Sequence, residues 1–201
     1  MITETSTIAE QFDRLLAILK NPKFLAAEGL GNEVPIFIYP YLPEREFEFQ
    51  SMVPQLKYQL ELAGVRVLEI NLYDLCIEIL KQEGLFDALI EVEPETDKFE
   101  LEQNLAGPLG AQDKIVPAIR QRMERSNYDI LILWGAGQVF PYLRTHSILN
   151  NMQVAIRERP LVLFYPGTYM QNIDGRAELK LFNRLPSYGY YREFNLLKFE
   201  L

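Results

Sequence analysis

Residues 128–152 read YDILILWGAGQVFPYLRTHSILNNM, and this stretch decides the predicted fold. The apolar run DILILW has the composition of a buried strand, and a Gly-x-Gly turn follows it directly. Pro141 suits the first turn of a helix, where a missing N–H costs nothing, so a helix is predicted from about this residue. In open α/β sheets, ligands bind at turns that lead from a strand to a helix. A functional site is therefore expected first in this stretch.

The rest of the chain shows the same alternation of strand and helix patterns. Thr7 and Glu10 form a capping box, which predicts a helix within residues 1–33 that packs on the body. Apolar runs separated by helical patterns predict five strands, beginning near residues 35, 65, 129, 160 and 190. Such alternation predicts an α/β fold, a single three-layer domain over residues 1–201 with a mostly parallel sheet flanked by helices. A degenerate P-loop-NTPase-like topology and a Rossmann-like topology both stay open, and residues 91–113 are predicted to be an acidic loop or insertion.

The composition narrows the class of protein. A chain of 201 residues with 48% hydrophobic side chains can bury one sizeable core. The formal net charge of −8 argues against direct DNA binding, which relies on many lysine and arginine contacts to phosphates. The single cysteine, Cys76, excludes an intrachain disulfide, and the first residues are too acidic and amphipathic for a signal peptide. Because no apolar run reaches about 18 residues, we expect no membrane span and a cytoplasmic location.

Complete catalytic and cofactor motifs are missing from the sequence. No Gly-x-x-x-x-Gly-Lys-Ser/Thr loop occurs, and Phe140 takes the place of the third glycine of a dinucleotide fingerprint. Cys76 lies on the apolar face of a helix for which Asn71 is the predicted N-cap, and this position disfavours its use as a nucleophile. Asp74 and Glu78 lie one helical turn apart, a spacing that could serve a metal but usually marks a solvated face. We therefore predict no catalytic residue, no metal site and no cofactor.

Arg144 and His146 are the candidate contact residues of the opening stretch. A cation in the first turns of a helix opposes the helix dipole, so Arg144 is explained most simply by a nearby anion or acidic partner. On a helix that begins near Pro141, Arg144 and His146 would face different ways. A lone histidine is more often a buried, hydrogen-bonded residue than a metal ligand. We therefore expect Arg144 to carry the contact.

Two interpretations stay open for the glycines and asparagines of the same stretch. Gly135 and Gly137 either let the backbone turn sharply out of the strand or bring it close to a ligand. Asn150 and Asn151 either cap the end of the helix or hold a loop. We therefore count these two glycines and two asparagines among the possible ligand or partner contacts.

Six blocks of sequence occur in a characteristic order: FIYPY, VRVLEINLYDLCIEILKQEG, KIVPAIRQRM, WGAGQVFPYLRTHSILNNM, PLVLFYPGTY and YYREFNL. Over about residues 34–196, their order and spacing resemble the BrxB family of BREX bacteriophage-exclusion systems. The positions that carry the resemblance are Gly135, Gly137, Phe140, Pro141, Arg144, His146, Leu149, Asn150, Asn151, Pro166, Gly167, Tyr191, Arg192 and Asn195. The resemblance adds Pro166, Gly167 and Arg192 to the candidate contact residues.

The resemblance implies a role in a multi-protein bacterial system that blocks phage replication and methylates host DNA. It implies no known catalytic reaction, and its other components include a PglZ-type protein of the alkaline phosphatase superfamily, an ATPase and an adenine methyltransferase. The first hypothesis is a non-catalytic interaction subunit, in which a surface around Gly137, Arg144 and residues 165–169 docks a BREX partner, most plausibly the PglZ-type protein. The alternative is a degenerate nucleotide- or nucleic-acid-binding module that seats an anion at the Gly-x-Gly turn and the helix N-terminus.

Overall fold

Seven strands and eight helices make up the part of the chain that the computed structural model describes, residues 6–30, 33–171, 177–191 and 193–200. The strands are β1 (Ile36–Tyr41), β2 (Val67–Asn71), β3 (Ile130–Trp134), β4 (Leu161–Gln171), β5 (Ala177–Leu181), β6 (Leu185–Tyr191) and β7 (Phe194–Asn195). The helices are α1 (Ile8–Leu19), α2 (Pro22–Leu25), α3 (Glu46–Leu62), α4 (Leu72–Gln82), α5 (Phe86–Val92), α6 (Lys98–Ala106), α7 (Val116–Arg125) and α8 (Thr145–Met152). Within these described ranges, no helix is both long and apolar enough to cross a membrane.

Five parallel strands form the main part of the sheet, in the order β2-β3-β4-β1-β7. β1 pairs with β4 along its whole length, with Ile36 opposite Leu161 and Tyr41 opposite Pro166. All six residues of β1 are buried, as expected for a parallel strand that is covered on both faces. The predicted α/β architecture with a mostly parallel sheet is confirmed.

Two helical layers cover the sheet, because alternate residues of each strand point to opposite faces. On one face, Phe37 of β1 and Ile132 of β3 share a core with α1 and α3, which bury Leu15 and Leu56. On the other face, α4, α7 and α8 pack over the sheet and bury residues such as Leu133, Cys76, Ile119 and Leu149. At the start of α1, the Thr7 hydroxyl accepts from the Glu10 amide and the Glu10 carboxylate accepts from the Thr7 amide, which is the capping box read from the sequence.

The strand order bears on the two topologies that the sequence left open. In the Rossmann order 3-2-1-4-5-6 the first strand lies beside the second. Here β1 lies between β4 and β7, and β2 is at the opposite edge, so the Rossmann-like order is not the one adopted. After β1, where a phosphate-binding loop would stand, the chain enters a 3₁₀ turn at Pro43–Arg45 and then α3. The degenerate P-loop-NTPase-like topology stays a prediction.

The strand predicted near residue 190 is wrong in its boundaries, because the run belongs to two strands. Residues 185–191 form β6, which pairs antiparallel with β5, and β5 in turn pairs antiparallel with the end of β4. Only Phe194 and Asn195 form the parallel strand β7 beside β1. Aromatic and apolar composition predicts that a segment is extended, but it does not say which neighbour the segment pairs with. The run YYREFNLL is therefore divided between two strands.

Residues 91–113 are mostly helical and not a loop, and Leu109 within them is buried. They contain the end of α5, a 3₁₀ turn at Glu93–Glu95, all of α6 and the start of a π-helical turn at Ala111–Ile115. The Asp97 carboxylate caps α6 by accepting from the Glu100 amide at 2.8 Å. An N-cap of this kind is worth about 1 kcal/mol and outweighs the repulsion between neighbouring carboxylates.

Candidate functional site

The turn after β3 is shaped by close packing around its two glycines. Gly135 has φ +80°, and a Cβ there would lie 2.6 Å from Oδ1 of Asn71, the atom that caps α4 by accepting from the Tyr73 amide. A Cβ at Gly137 would lie 2.9 Å from both the Phe182 ring and the Pro166 ring. Both glycines therefore serve the sharp-turn interpretation, since protein atoms occupy the space beside them.

Pro166 and Gly167 lie where β4 changes from parallel to antiparallel pairing. A Cβ at Gly167 would overlap the carbonyl group of Lys180 on β5. The Phe182 amide donates to the Pro166 carbonyl at 2.8 Å, which ties the start of the hairpin to the end of the parallel sheet. These two candidate residues thus hold the β4–β5 junction together.

The helix predicted from Pro141 begins later, at Thr145. Residues 136–142 form turns, with a cis peptide bond between Phe140 and Pro141, and the residue before a proline disfavours helical backbone angles. Ala136, Val139 and Leu143 are buried in this segment, so the turns are packed against the core. Arg144 is therefore the N-cap residue of α8, and the predicted helix start near Pro141 is wrong.

Arg144 is exposed and sits at the positive end of α8. Its guanidinium carbon lies 5.6 Å from the centre of the Phe140 ring, a cation–π contact worth about 0.5–1 kcal/mol at an exposed site. No carboxylate in the described ranges pairs with Arg144. The cation at the N-terminus of α8 is thus exposed and has no carboxylate partner within these ranges.

A pocket of about 230 Å³ opens beside Arg144. It is lined by Phe140, Arg144, Thr145, His146, Tyr165, Leu181, Leu185 and Pro186. Burial lowers the pKa of His146, and the Arg144 charge lowers it further, so the imidazole is neutral at neutral pH. The pocket accordingly combines one fixed positive charge, a neutral imidazole and apolar walls from the hairpin.

The structure brings Arg144 and His146 into one pocket, contrary to the expectation that they face different ways. Asn150 is exposed. The side-chain Nδ2 of Asn151 donates to the Ser147 backbone carbonyl at 2.7 Å within α8. Neither caps the helix end, because Gln153 is the C-cap residue. Arg192 lies outside the described residues.

Several residues of the site were missed by reasoning from the sequence. Leu185 and Pro186 reach the pocket from the hairpin, and Phe182 packs beside Gly137. Glu193 is also buried, and its backbone carbonyl accepts from the Tyr169 hydroxyl at 2.5 Å. No local pattern marks these residues, because each reaches its place through the unpredicted hairpin or the residues that follow it.

The structure also bears on two other kinds of site considered from the sequence, a cysteine nucleophile and a metal site. Burial raises the pKa of the Cys76 thiol to about 12, so it is protonated and a poor nucleophile at neutral pH. The Glu78 carboxylate accepts from the Arg122 guanidinium at 2.5 Å, as a solvated helix face would predict. Within the described ranges, no group of three or more histidine, cysteine, aspartate and glutamate side chains is placed to hold a metal.

Comparisons with known proteins place this α/β chain with its mostly parallel sheet among bacteriophage-exclusion proteins. The sequence model described as BREX protein BrxB matches residues 68–196. BREX protein BrxB of Bacillus cereus (strain H3081.97) is 32% identical over 194 residues, which cover 94% of this chain and 97% of that protein. BREX protein BrxB of Escherichia coli O9:H4 (strain HS) is 30% identical over 179 residues, covering 89% and 86%. No solved structure matches.

The chain belongs to the BrxB family, whose members are components of BREX phage-defence systems.

Proposed function

We propose that this chain is a non-catalytic interaction subunit of its BREX system and that the pocket beside Arg144 docks a partner protein. The observation that carries the proposal is Arg144 itself. It is an exposed cation at a helix N-terminus, held over Phe140, with no carboxylate partner within the described ranges. Arginine presents five donors in a planar fork and is enriched where protein partners meet.

The surface offers the features of a small protein contact. Two apolar side chains of the hairpin, Leu185 and Pro186, line the same pocket as Arg144. They can contact an apolar residue of the partner that lies next to its acidic residue. Leu185 is 41% exposed, so part of its side chain is accessible to a partner. An aspartate or glutamate of the partner would accept from Arg144, while the apolar walls would exclude water from that pair.

We propose a smaller docking surface than the sequence suggested. Tyr165 and Tyr169 are 1% and 8% exposed, and Gly137 is covered by Phe182, so these residues position the pocket and do not reach a partner. The contact surface is therefore centred on Arg144 and the hairpin edge. We propose the PglZ-type protein as the first partner to test, with the ATPase and the methyltransferase after it.

The alternative, a degenerate nucleotide- or nucleic-acid-binding module, draws less support from the geometry. It required the Gly-x-Gly turn and the helix N-terminus to form one anion seat. Gly135 and Gly137 are separated from the start of α8 by a turn segment, and their free sides face Asn71 and Phe182. Arg144 remains available to an anion, so nucleotides are included in the tests below.

Pairwise mixing of purified BREX proteins tests the proposal. We expect one component to co-elute with this chain on size exclusion and to give a calorimetric dissociation constant in the micromolar range or below. If no component binds at micromolar concentration, the docking proposal is refuted.

A further inference from the structure

A second surface, distinct from the Arg144 pocket, is formed by α5, α6 and the 3₁₀ turn between them. Over residues 86–106 the sequence has seven carboxylates and one lysine, a net charge of −6 out of −8 for the whole chain. The carboxylates are Asp87, Glu91, Glu93, Glu95, Asp97, Glu100 and Glu102. Within the described ranges, none of them forms an ion pair.

The carboxylates on α5 and the following turn are arranged so that they repel one another. Asp87, Glu91 and Glu95 recur every four residues, and on α5 both Asp87 and Glu91 lie on the side opposite Phe86 and Leu89, which pack against the core. Like charges at this spacing are destabilising, and no ion pair within the described ranges offsets the repulsion on α5. Some carboxylates elsewhere on the surface do have cationic partners, as Glu83 has Lys114 and Glu78 has Arg122.

The same segment exposes large apolar side chains. Phe99 is 72% exposed, Ile90 53% and Val92 44%, and neither α5 nor α6 contains a buried residue. Helices this short are marginal in water unless packing stabilises an apolar face. Phe86, Leu89 and Leu105 supply only partly buried contacts to the core. Surplus negative charge and exposed apolar side chains therefore occur together on a segment that has little packing of its own.

We propose that the α5–α6 surface is the docking site for a lysine- and arginine-rich segment of a partner protein that also carries an apolar side chain. This inference extends the proposed docking role, since it assigns a second contact of opposite charge to the Arg144 pocket. Charge complementarity identifies the occupant: the field of seven carboxylates attracts cations and repels nucleic acid, and Phe99, Ile90 and Val92 need an apolar counterpart. A bound metal is not the occupant, because the described carboxylates do not converge into a ligand group.

The first arm of the test uses synthetic peptides with the full chain labelled for NMR. The probe is an amphipathic peptide of leucine and lysine, and its controls are the same peptide with glutamate for lysine and a peptide of lysine and serine. We expect saturable shifts confined to residues 86–106 with the leucine–lysine peptide only, weakening as salt rises from about 0.05 to 0.3 M. Shifts centred elsewhere, or equal binding of the lysine–serine peptide, would overturn the assignment of an apolar and charged site.

The second arm compares variants that remove the same charge from different places. D87N/E91Q/E95Q should weaken the peptide roughly tenfold, on the scale of three exposed ion pairs, while the control E28Q/E124Q/E158Q changes affinity less than twofold. Phe99→Ser should also weaken it, whereas Phe47→Ser on α3, which is 81% exposed, should not. Equal effects of the paired variants would contradict the inference.

A third arm repeats these variants with whichever BREX protein binds the wild-type chain. If that protein binds and the D87N/E91Q/E95Q and Phe99→Ser variants bind it equally well, the α5–α6 inference fails and the docking proposal stands. If no BREX protein binds while the peptide saturates residues 86–106, the inference stands and the docking proposal fails. If neither binds, both are refuted.

Discussion

Replacing Gly137 with alanine distinguishes a packing role for the Gly-x-Gly turn from a role in ligand contact. The new Cβ would lie 2.9 Å from a carbon of Phe182 and 2.9 Å from a carbon of Pro166, both well inside ordinary van der Waals contact. Pro166 lies opposite Tyr41 of β1, and its carbonyl accepts from the Phe182 amide at 2.8 Å, so its backbone has little freedom to move. Overpacking of this kind costs about 1–3 kcal/mol.

Gly107→Ala is the matched control. A Cβ there meets only a backbone oxygen at 3.8 Å, and the residue has φ −60°, which alanine adopts readily. Both variants restrict the unfolded chain equally, a gain of about 0.4–1 kcal/mol, so the difference between them isolates the clash. At about 2–4 °C per kcal/mol for a chain of this size, Gly137→Ala should melt roughly 2–12 °C below Gly107→Ala.

Thermal unfolding followed by circular dichroism or calorimetry measures this difference. Equal melting temperatures for the two variants, together with loss of partner or nucleotide binding in Gly137→Ala alone, would refute the packing role and restore the turn as a contact site.

Three further predictions concern pH, reactivity and ligands. Burial lowers the pKa of His146, so the unfolded chain binds a proton first as pH falls; the free energy of unfolding should therefore decline from pH 7.5 to 5.5, and the decline should be smaller in His146→Gln. A decline unchanged in His146→Gln, measured by urea titration at each pH, would show that other groups are responsible. Cys76 is 1% exposed and its thiol has a pKa raised to about 12, so Ellman's reagent should react with it at pH 8 only in denaturant; prompt labelling of the native chain would contradict its burial. Nucleotides and short DNA should not shift the melting temperature, whereas a ligand at about 100 times its dissociation constant would add roughly 2.7 kcal/mol, and a shift of that size would favour the alternative function.

Local sequence patterns predicted most of the parallel strands and several of the helix starts. The run PIFIYPY has the length and apolar content of a strand buried on both faces, and it forms β1. Thr7 with Glu10 and Asn71 mark helix starts because their side chains satisfy amides in the next turn, an interaction that needs no distant residue. Cys76 was placed in the core from its position on the apolar face of α4.

The remaining features depend on contacts between distant parts of the chain. The β5–β6 hairpin continues β4 in the antiparallel direction, a pairing that strand composition does not encode. The helix α8 begins at Thr145 and not at the predicted Pro141, because the segment before it forms turns that bury Ala136, Val139 and Leu143 in the core. Arg144 and His146 then meet in one pocket whose far wall comes from the hairpin, so no helical stripe could have predicted their proximity.

The docking role of Arg144 is the central claim, and one calorimetric comparison tests it most directly. Arg144→Ala and Arg120→Ala both remove an exposed arginine, and Arg120 lies on α7, outside the pocket. Titrated into the PglZ-type protein, Arg144→Ala should bind about tenfold or more weakly than the wild-type chain, with its free energy of unfolding changed by less than about 1 kcal/mol. Arg120→Ala should bind as the wild-type chain does. Equal dissociation constants for the two variants, or a wild-type chain that binds none of the BREX proteins, would contradict the account.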